Sequence, residues 1–241
     1  MSAIDQAVNR LRQCAKPVVF ETGVEEVPYA TVGTCFLVKL GAHLFLVTAK
    51  HVVNDMSLDQ LLVFPNAESN ESIPFSEVFT VANRDPDDPD FSDLVIVKVH
   101  LGNLRLAEQS CMYAVDLDKS SDSWRTAPTD HSFFIFGYPN KSRKVDYERY
   151  QVGSTQTFLV GRFAGDSLAR HCYELDIEDF NGVEEFNGLS GSPVLSWPRK
   201  IADNFHPSFC GMVLRGTRTS GKVHFLDAAV LRKGLEFARD N

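Results

Sequence analysis

Long hydrophobic runs, paired-cysteine motifs and clustered basic residues are all scarce in this chain of 241 residues. No apolar stretch approaches the ~20 residues that a membrane-spanning helix needs, so no membrane association is expected. The first residues, Met1 to Gln6, lack a basic region followed by an apolar one, which predicts no secretory signal and a cytoplasmic location. The 5 cysteines, Cys14, Cys35, Cys111, Cys172 and Cys210, are odd in number, widely spaced and without a C-x-x-C pair. That pattern disfavours a disulfide framework and a zinc site and predicts buried, reduced thiols. The 7 histidines are dispersed, with no H-E-x-x-H spacing, so no metal and no cofactor are expected. The net charge is −8 and the basic residues are scattered. Nucleic acid, which needs a basic stripe to displace counterions, is therefore not an expected partner. The one local basic cluster, Lys141, Arg143 and Lys144, follows Gly137-Tyr138-Pro139-Asn140 and reads as a solvated loop after a turn. The sequons at Asn70 and Asn140 carry meaning only in a chain that enters the secretory route. No internal repeat or low-complexity segment is present.

What the sequence does have is 44% hydrophobic residues, enough for one large β domain or two small packed barrels. Ile4, Ala7, Val8 and Leu11 recur at helical spacing, predicting an amphipathic helix over 3–14. After Pro17 the pattern becomes short runs of Val, Phe, Thr and Leu separated by Gly, Pro, Asn and Asp, which predicts an all-β fold. Expected strands are Thr34–Leu40, Leu44–Ala49, Leu61–Phe64, Leu94–Val99, Ser132–Phe136, Thr157–Val160, Tyr173–Ile177, Pro193–Ser196 and Cys210–Leu214. Gly41-Ala42-His43 reads as a tight hairpin loop, and Arg84–Asp90 as an acidic surface loop. The polar stretch Asp118–Asp130 reads as a connection between halves. Ala228, Val230, Leu231, Leu235 and Phe237 predict a closing helix. The expected organisation is a lead-in over 1–19, a first barrel over 20–104, a linker and second barrel over 105–227, and a helix over 228–241.

Three separate segments carry groups suited to acyl transfer. Such a reaction needs a nucleophile, a base for its proton, a carboxylate to orient that base and donors for the oxyanion. Asn187-Gly188-Leu189-Ser190-Gly191-Ser192-Pro193-Val194 sets a serine between glycines just before a strand, where successive amides can point inward to bind an anion. Leu46-Val47-Thr48-Ala49-Lys50-His51 ends an apolar strand on a histidine. Ser92-Asp93-Leu94-Val95-Ile96-Val97 puts a carboxylate immediately before an apolar strand, where it is partly shielded.

Together with Gly33-Thr34-Cys35-Phe36-Leu37-Val38, these segments resemble the motif set of chymotrypsin-fold, trypsin-like serine peptidases, in the order His, Asp, Ser. The resemblance covers about residues 30–227 and is nearest to the compact, disulfide-free bacterial branch. It implies two packed antiparallel β-barrels with short N- and C-terminal helices. By that resemblance Ser190 is the nucleophile, His51 the general base, Asp93 its orienting partner, and the Gly188 and Ser190 amides the oxyanion hole. Gly211-Met212-Val213-Leu214-Arg215-Gly216 resembles the strand that pairs with an extended polypeptide substrate, with Leu214, Arg215 and Gly216 in contact. Glu184 falls near the family's specificity-pocket floor; a one-residue shift would put Glu185 or Val183 there instead. A floor acid invites a basic side chain, whereas Arg215, Arg218, Lys222 and His224 invite an acidic one. Departures from the pattern are Lys50 before the histidine, Val52 after it where secreted relatives carry a bridged cysteine, and Leu214 in place of a serine near the carboxylate. Leu189 stands where secreted zymogens carry an aspartate.

An α/β-hydrolase would need G-x-S-x-G on a strand-to-helix turn, and here Ser192 holds the fifth position with a strand following. The alternative that remains open is a catalytically silent trypsin-fold module for protein interaction or sensing, which would carry the same residues. A regulatory protein partner is compatible with either.

Overall fold

The chain passes from helix to sheet within three residues. Helix α1 spans Ala3–Arg12. The Gln13 and Cys14 amides turn back onto the carbonyls of Arg10 and Leu11, and strand β1 starts at Ala15. Val8 and Leu11 pack on the first hydrophobic core, as an amphipathic helix requires. The computed structural model describes residues 3–53, 60–66, 69, 71–81, 89–103, 109, 112–146, 151–199 and 207–241.

β1 (Ala15–Val24), β2 (Val27–Leu40) and β3 (His43–Thr48) form an antiparallel meander, the last two joined by a turn at Gly41-Ala42. A one-turn helix, α2 (Lys50–Val53), follows. β4 (Leu61–Leu62), β5 (Phe75–Thr80), β6 (Val95–Val99) and β7 (Val115–Asp116) complete a 7-stranded sheet in the order β4-β1-β2-β3-β6-β5, with β7 parallel to β2. This first sheet is a half-barrel. Then come β8 (His131–Gly137), β9 (Arg143–Asp146), β10 (Gln151–Ser154), β11 (Thr157–Asp166), β12 (Cys172–Asp179), β13 (Pro193–Pro198), β14 (Ser208–Thr217) and β15 (Lys222–Asp227). β9 and β10 pair with each other, and the other six close a barrel in the order β11-β12-β15-β14-β13-β8. The architecture is all-β, compatible with a chymotrypsin-like fold, with one barrel closed and the other half-formed. Helix α3 (Ala228–Asp240) closes the chain, capped by the Asp227 carboxylate accepting from the Ala229 amide.

Two cores hold this together. One joins the half-barrel to α3 and to Phe209, Met212 and Leu226 of the closed barrel, with the Phe36 and Phe209 rings 5.5 Å apart. That explains why Cys35 to Val38 are all buried, with no alternation: β2 is covered on both faces. The second core fills the closed barrel around Phe133, Leu175, Val213 and Phe225.

The polar connection expected over Asp118–Asp130 does more than link. It forms two 3₁₀ turns, and Trp124 within the first is buried against Phe133 and Tyr173, plugging the barrel. The basic cluster also departs from the solvated-loop expectation: Lys141 sits in a 3₁₀ turn, while Arg143 and Lys144 belong to β9, where backbone pairing with β10 overrides local polarity. Cys14, Cys35, Cys172 and Cys210 are buried thiols, and Cys111 lies outside the described residues. Burial pushes the Cys14 thiol up to about 12 and raises Cys35 and Cys210 as well, so none competes as a nucleophile. Most of the Arg84–Asp90 loop also lies outside the described residues. Among those described, no helix is long and apolar enough to cross a membrane, and no group of His, Cys, Asp or Glu is placed to hold a metal.

Candidate active site

His51 owes its position to its neighbours. Strand β3 is buried from Leu44 to Thr48, and on α2 the side chains of Val52 and Val53 turn into the core, which leaves His51 facing out. Asp93 stands between buried Ser92 and buried Leu94, after a 3₁₀ turn over Pro89–Ser92 and before β6. Its two oxygens are both engaged by His51: Oδ2 lies 2.6 Å from Nδ1, and Oδ1 accepts from the His51 backbone amide at 2.9 Å. A carboxylate can only accept, so Nδ1 carries the proton and Nε2 presents a lone pair. The bond to Asp93 holds the imidazole above its ordinary value of 6.5, against the opposing effect of partial burial, with the charges of Asp93 and Asp90 adding to the rise.

The Ser190 loop is tied to the first sheet by two bonds from Thr34 and to the segment after β8 by one from Asn140. Thr34 donates its hydroxyl to the Gly188 carbonyl at 2.8 Å and its amide to the Ser190 carbonyl at 3.1 Å, and its hydroxyl accepts from the Tyr138 amide at 2.9 Å. Asn140 donates its amide to the Asn187 carbonyl at 2.8 Å. Since the carbonyl and amide of a trans peptide point opposite ways, this turns the Gly188 N–H away from Asn140. Gly188 sits at φ 92° and Gly191 at φ 82°, both in the left-handed region. A Cβ on Gly191 would lie 2.0 Å from the Thr34 carbonyl oxygen, so only glycine permits this contact between the sheets. Leu189, 1% exposed, anchors the loop in the second core.

The amides of Leu189, Gly191 and Ser192 donate to Phe186, Val213 and Leu189 carbonyls. Those of Gly188 and Ser190 donate to no protein group among the described residues. Both residues line the cleft, and unengaged N–H groups are the kind of donor that negative charge requires. The Ser190 hydroxyl itself donates to the Leu214 carbonyl at 2.8 Å rather than to the imidazole.

His51, Asp93, Gly188, Ser190, Leu214, Arg215 and Gly216 all line one cleft of about 720 Å³ between the two sheets. β14 pairs with β13 only up to Met212, and its pairing with β15 continues to Thr217. Its segment from Leu214 onward thus has a free edge facing the cleft. Asp93 receives no side-chain support from position 214, because Leu214 is buried and offers only its carbonyl; the His51 amide occupies the second carboxylate oxygen instead.

Glu184 is not brought to the cleft. It extends into solvent, 72% exposed, and pairs with Lys141, which also holds Glu185. A charged side chain with a solvated partner close by has no reason to enter an apolar barrel mouth. The wall it was expected to occupy is formed by Phe186, Val213 and Val223. Arg215 does line the cleft, but its guanidinium is engaged by both oxygens of Asp90 across the sheet boundary. Arg218 lies over the Phe180 ring, Lys222 pairs with Glu174, and His224 meets Ser167. The sequence marks Thr34 and Asn140 only as a motif residue and a turn or sequon residue, and it does not single out Phe186 or Val223; Phe186, an apolar residue four before the serine, carries the one local signal. Comparison of the chain with protein-family models and with curated proteins gives no match.

Proposed function

We propose that this protein is a trypsin-like serine endopeptidase acting on extended or loop segments of polypeptide. The supporting observation is the convergence on one cleft of a carboxylate-bound imidazole, a serine hydroxyl and two unengaged amides. A substrate strand adds to the free edge at Leu214–Gly216, and its N–H takes the Leu214 carbonyl in place of the Ser190 hydroxyl. Released, the hydroxyl turns to His51 Nε2 and attacks the scissile carbonyl as its proton passes to the imidazole. The Gly188 and Ser190 amides receive the oxyanion, and Asp93 stabilises the imidazolium. The imidazolium then gives its proton to the leaving amine, and the resulting acyl-enzyme is cleared by water activated at the same nitrogen.

A second reading, a silent binding module, is favoured by one observation: the resting hydroxyl bonds to Leu214 and not to His51. A serine-directed fluorophosphonate separates the two. The peptidase reading expects covalent labelling at Ser190, lost in Ser190→Ala with the fold intact. An unlabelled wild-type protein that still binds peptide would establish the silent module, and undiminished peptide cleavage by Ser190→Ala would rule Ser190 out as the nucleophile.

A further inference from the structure

The cleft wall beside Ser190 is apolar and rigid. Phe186 is 6% exposed and stacks on Phe180 with ring centroids 5.9 Å apart. The guanidinium of Arg218 lies 3.5 Å from the Phe180 centroid, and its Nε donates to the Val183 carbonyl at 3.2 Å. The loop carrying Phe186 is thereby clamped to the end of β14 and preformed. Opposite it, Val223 pairs with Gly216 across β14 and β15. A Cβ on Gly216 would come within 3.1 Å of Phe186 Cδ2 and 3.0 Å of Val223 Cγ2, so the glycine keeps the space between the two apolar side chains open.

Charge in the cleft is already matched. Both oxygens of Asp93 serve His51, and both of Asp90 serve Arg215. Glu184 and Glu185, the acids nearest in sequence, turn away to Lys141. A charged substrate side chain entering here would lose its water and find no free counter-ion among the described residues.

We propose that this pocket selects an uncharged, apolar side chain on the residue preceding the scissile bond, with Phe186, Val213 and Val223 determining specificity. The inference rests on the peptidase reading for its placement on the substrate, but it can be measured without catalysis. Blocked, fluorescein-labelled peptides differing at one residue, Val, Leu, Lys, Arg, Asp or Glu, are titrated against Ser190→Ala and followed by fluorescence anisotropy. The Val and Leu peptides are expected to bind at least roughly tenfold more tightly than the charged ones. In the same background, Val223→Ala shifts the preference from Val toward Leu by shortening one wall. Tighter binding of a Lys, Arg, Asp or Glu peptide, equal binding of all, or no binding overturns the inference. Fluorophosphonate labelling of the wild-type protein judges the peptidase reading independently: apolar selectivity without labelling retains the pocket and discards the chemistry, and labelling without apolar selectivity does the reverse.

Discussion

Replacing Thr34 with valine removes one hydroxyl and nothing else of comparable size, and it reports on how the Ser190 loop is held. The Thr34 side chain is fully buried, and its hydroxyl bridges the Gly188 carbonyl and the Tyr138 amide. Valine keeps the shape and leaves both groups without a partner. An orphaned buried group costs about 1–3 kcal/mol. The bond to Gly188 is buried and that from Tyr138 only partly so, so water reaches the second group alone. The expected loss for the pair is therefore about 2–4 kcal/mol. The bonds that Thr34 makes through its backbone, from its amide to the Ser190 carbonyl and to its carbonyl from the Thr48 hydroxyl, survive the change, so the fold persists. The loop, freed at Gly188, no longer presents its amide in a fixed direction, and loss of one oxyanion donor costs ~10²–10³ in turnover. Urea denaturation measures the first effect, and the second-order rate of fluorophosphonate labelling, taken where the variant is fully folded, measures the second. Thr34→Ser retains the hydroxyl and should label within a few-fold of the parent. A valine variant with the parental urea midpoint and labelling rate would refute the assignment of loop order to this hydroxyl.

Labelling should rise with pH through a midpoint above 6.5, because the bond to Asp93 raises the imidazole and only neutral His51 accepts the serine proton. Asp93→Asn should lower turnover by ~10⁴ and move that midpoint down, and a mild defect with an unmoved midpoint would point to a different carboxylate. Since the folded value lies above the unfolded one, the stability His51 gains from this pair is present below 6.5 and fades as pH rises through the folded value; half-exposure keeps the effect small. Arg215→Ala strips Asp90 of its partner and leaves its charge to act on His51, so the midpoint should move up, and an unshifted profile would show that Asp90 is screened. Gly191→Ala forces a Cβ against the Thr34 carbonyl in a left-handed backbone and should cost at least ~2 kcal/mol in urea denaturation, with no loss if the loop can retreat from β2.

The three chemistry-bearing segments were legible because each is marked locally. A glycine-flanked serine, a histidine ending an apolar strand and an aspartate opening one are statements about single stretches of chain. The missed strands are those whose strand character is settled by a partner. β1 contains Pro17, Glu21 and Thr22 and becomes a strand by pairing along most of β2. β15 alternates buried Val223 and Phe225 with Lys222 and His224, a period of two that its charges obscured. The Glu184 expectation failed for a related reason. In an irregular loop, distance along the chain from Ser190 does not say which way a side chain points, and the apolar Phe186, two residues on, takes the inward position that desolvation denies to an acid. The incomplete first barrel was equally hidden: β4 keeps only Leu61 and Leu62 of the expected Leu61–Phe64 strand, and β4 and β5 remain the two ends of the sheet order.

His51 and Asp93 come from the half-barrel and Ser190 from the loop before β13, so their relative positions depend on how firmly two sheets are joined. Thr34 and Gly191 join them at the serine itself. At the other side the joint is made by α3, which packs against β2, β6, β14 and β15. Its buried Leu231 and Leu235 belong to the core shared by both sheets, and Asp227 at its start is held by Arg125 from the connecting segment. The approach is close at Gly234, where a Cβ would fall 2.8 Å from Ile96 Cδ1 of β6. β6 follows directly from Asp93, and β14 carries the Leu214 carbonyl that the serine hydroxyl touches. One helix thus braces the strand that follows Asp93 and the strand that carries the Leu214 carbonyl, so a shift of α3 would move both relative to Ser190. Residues remote from the cleft, Gly234 above all, set its geometry through packing, because close-packed interiors transmit displacement and do not absorb it.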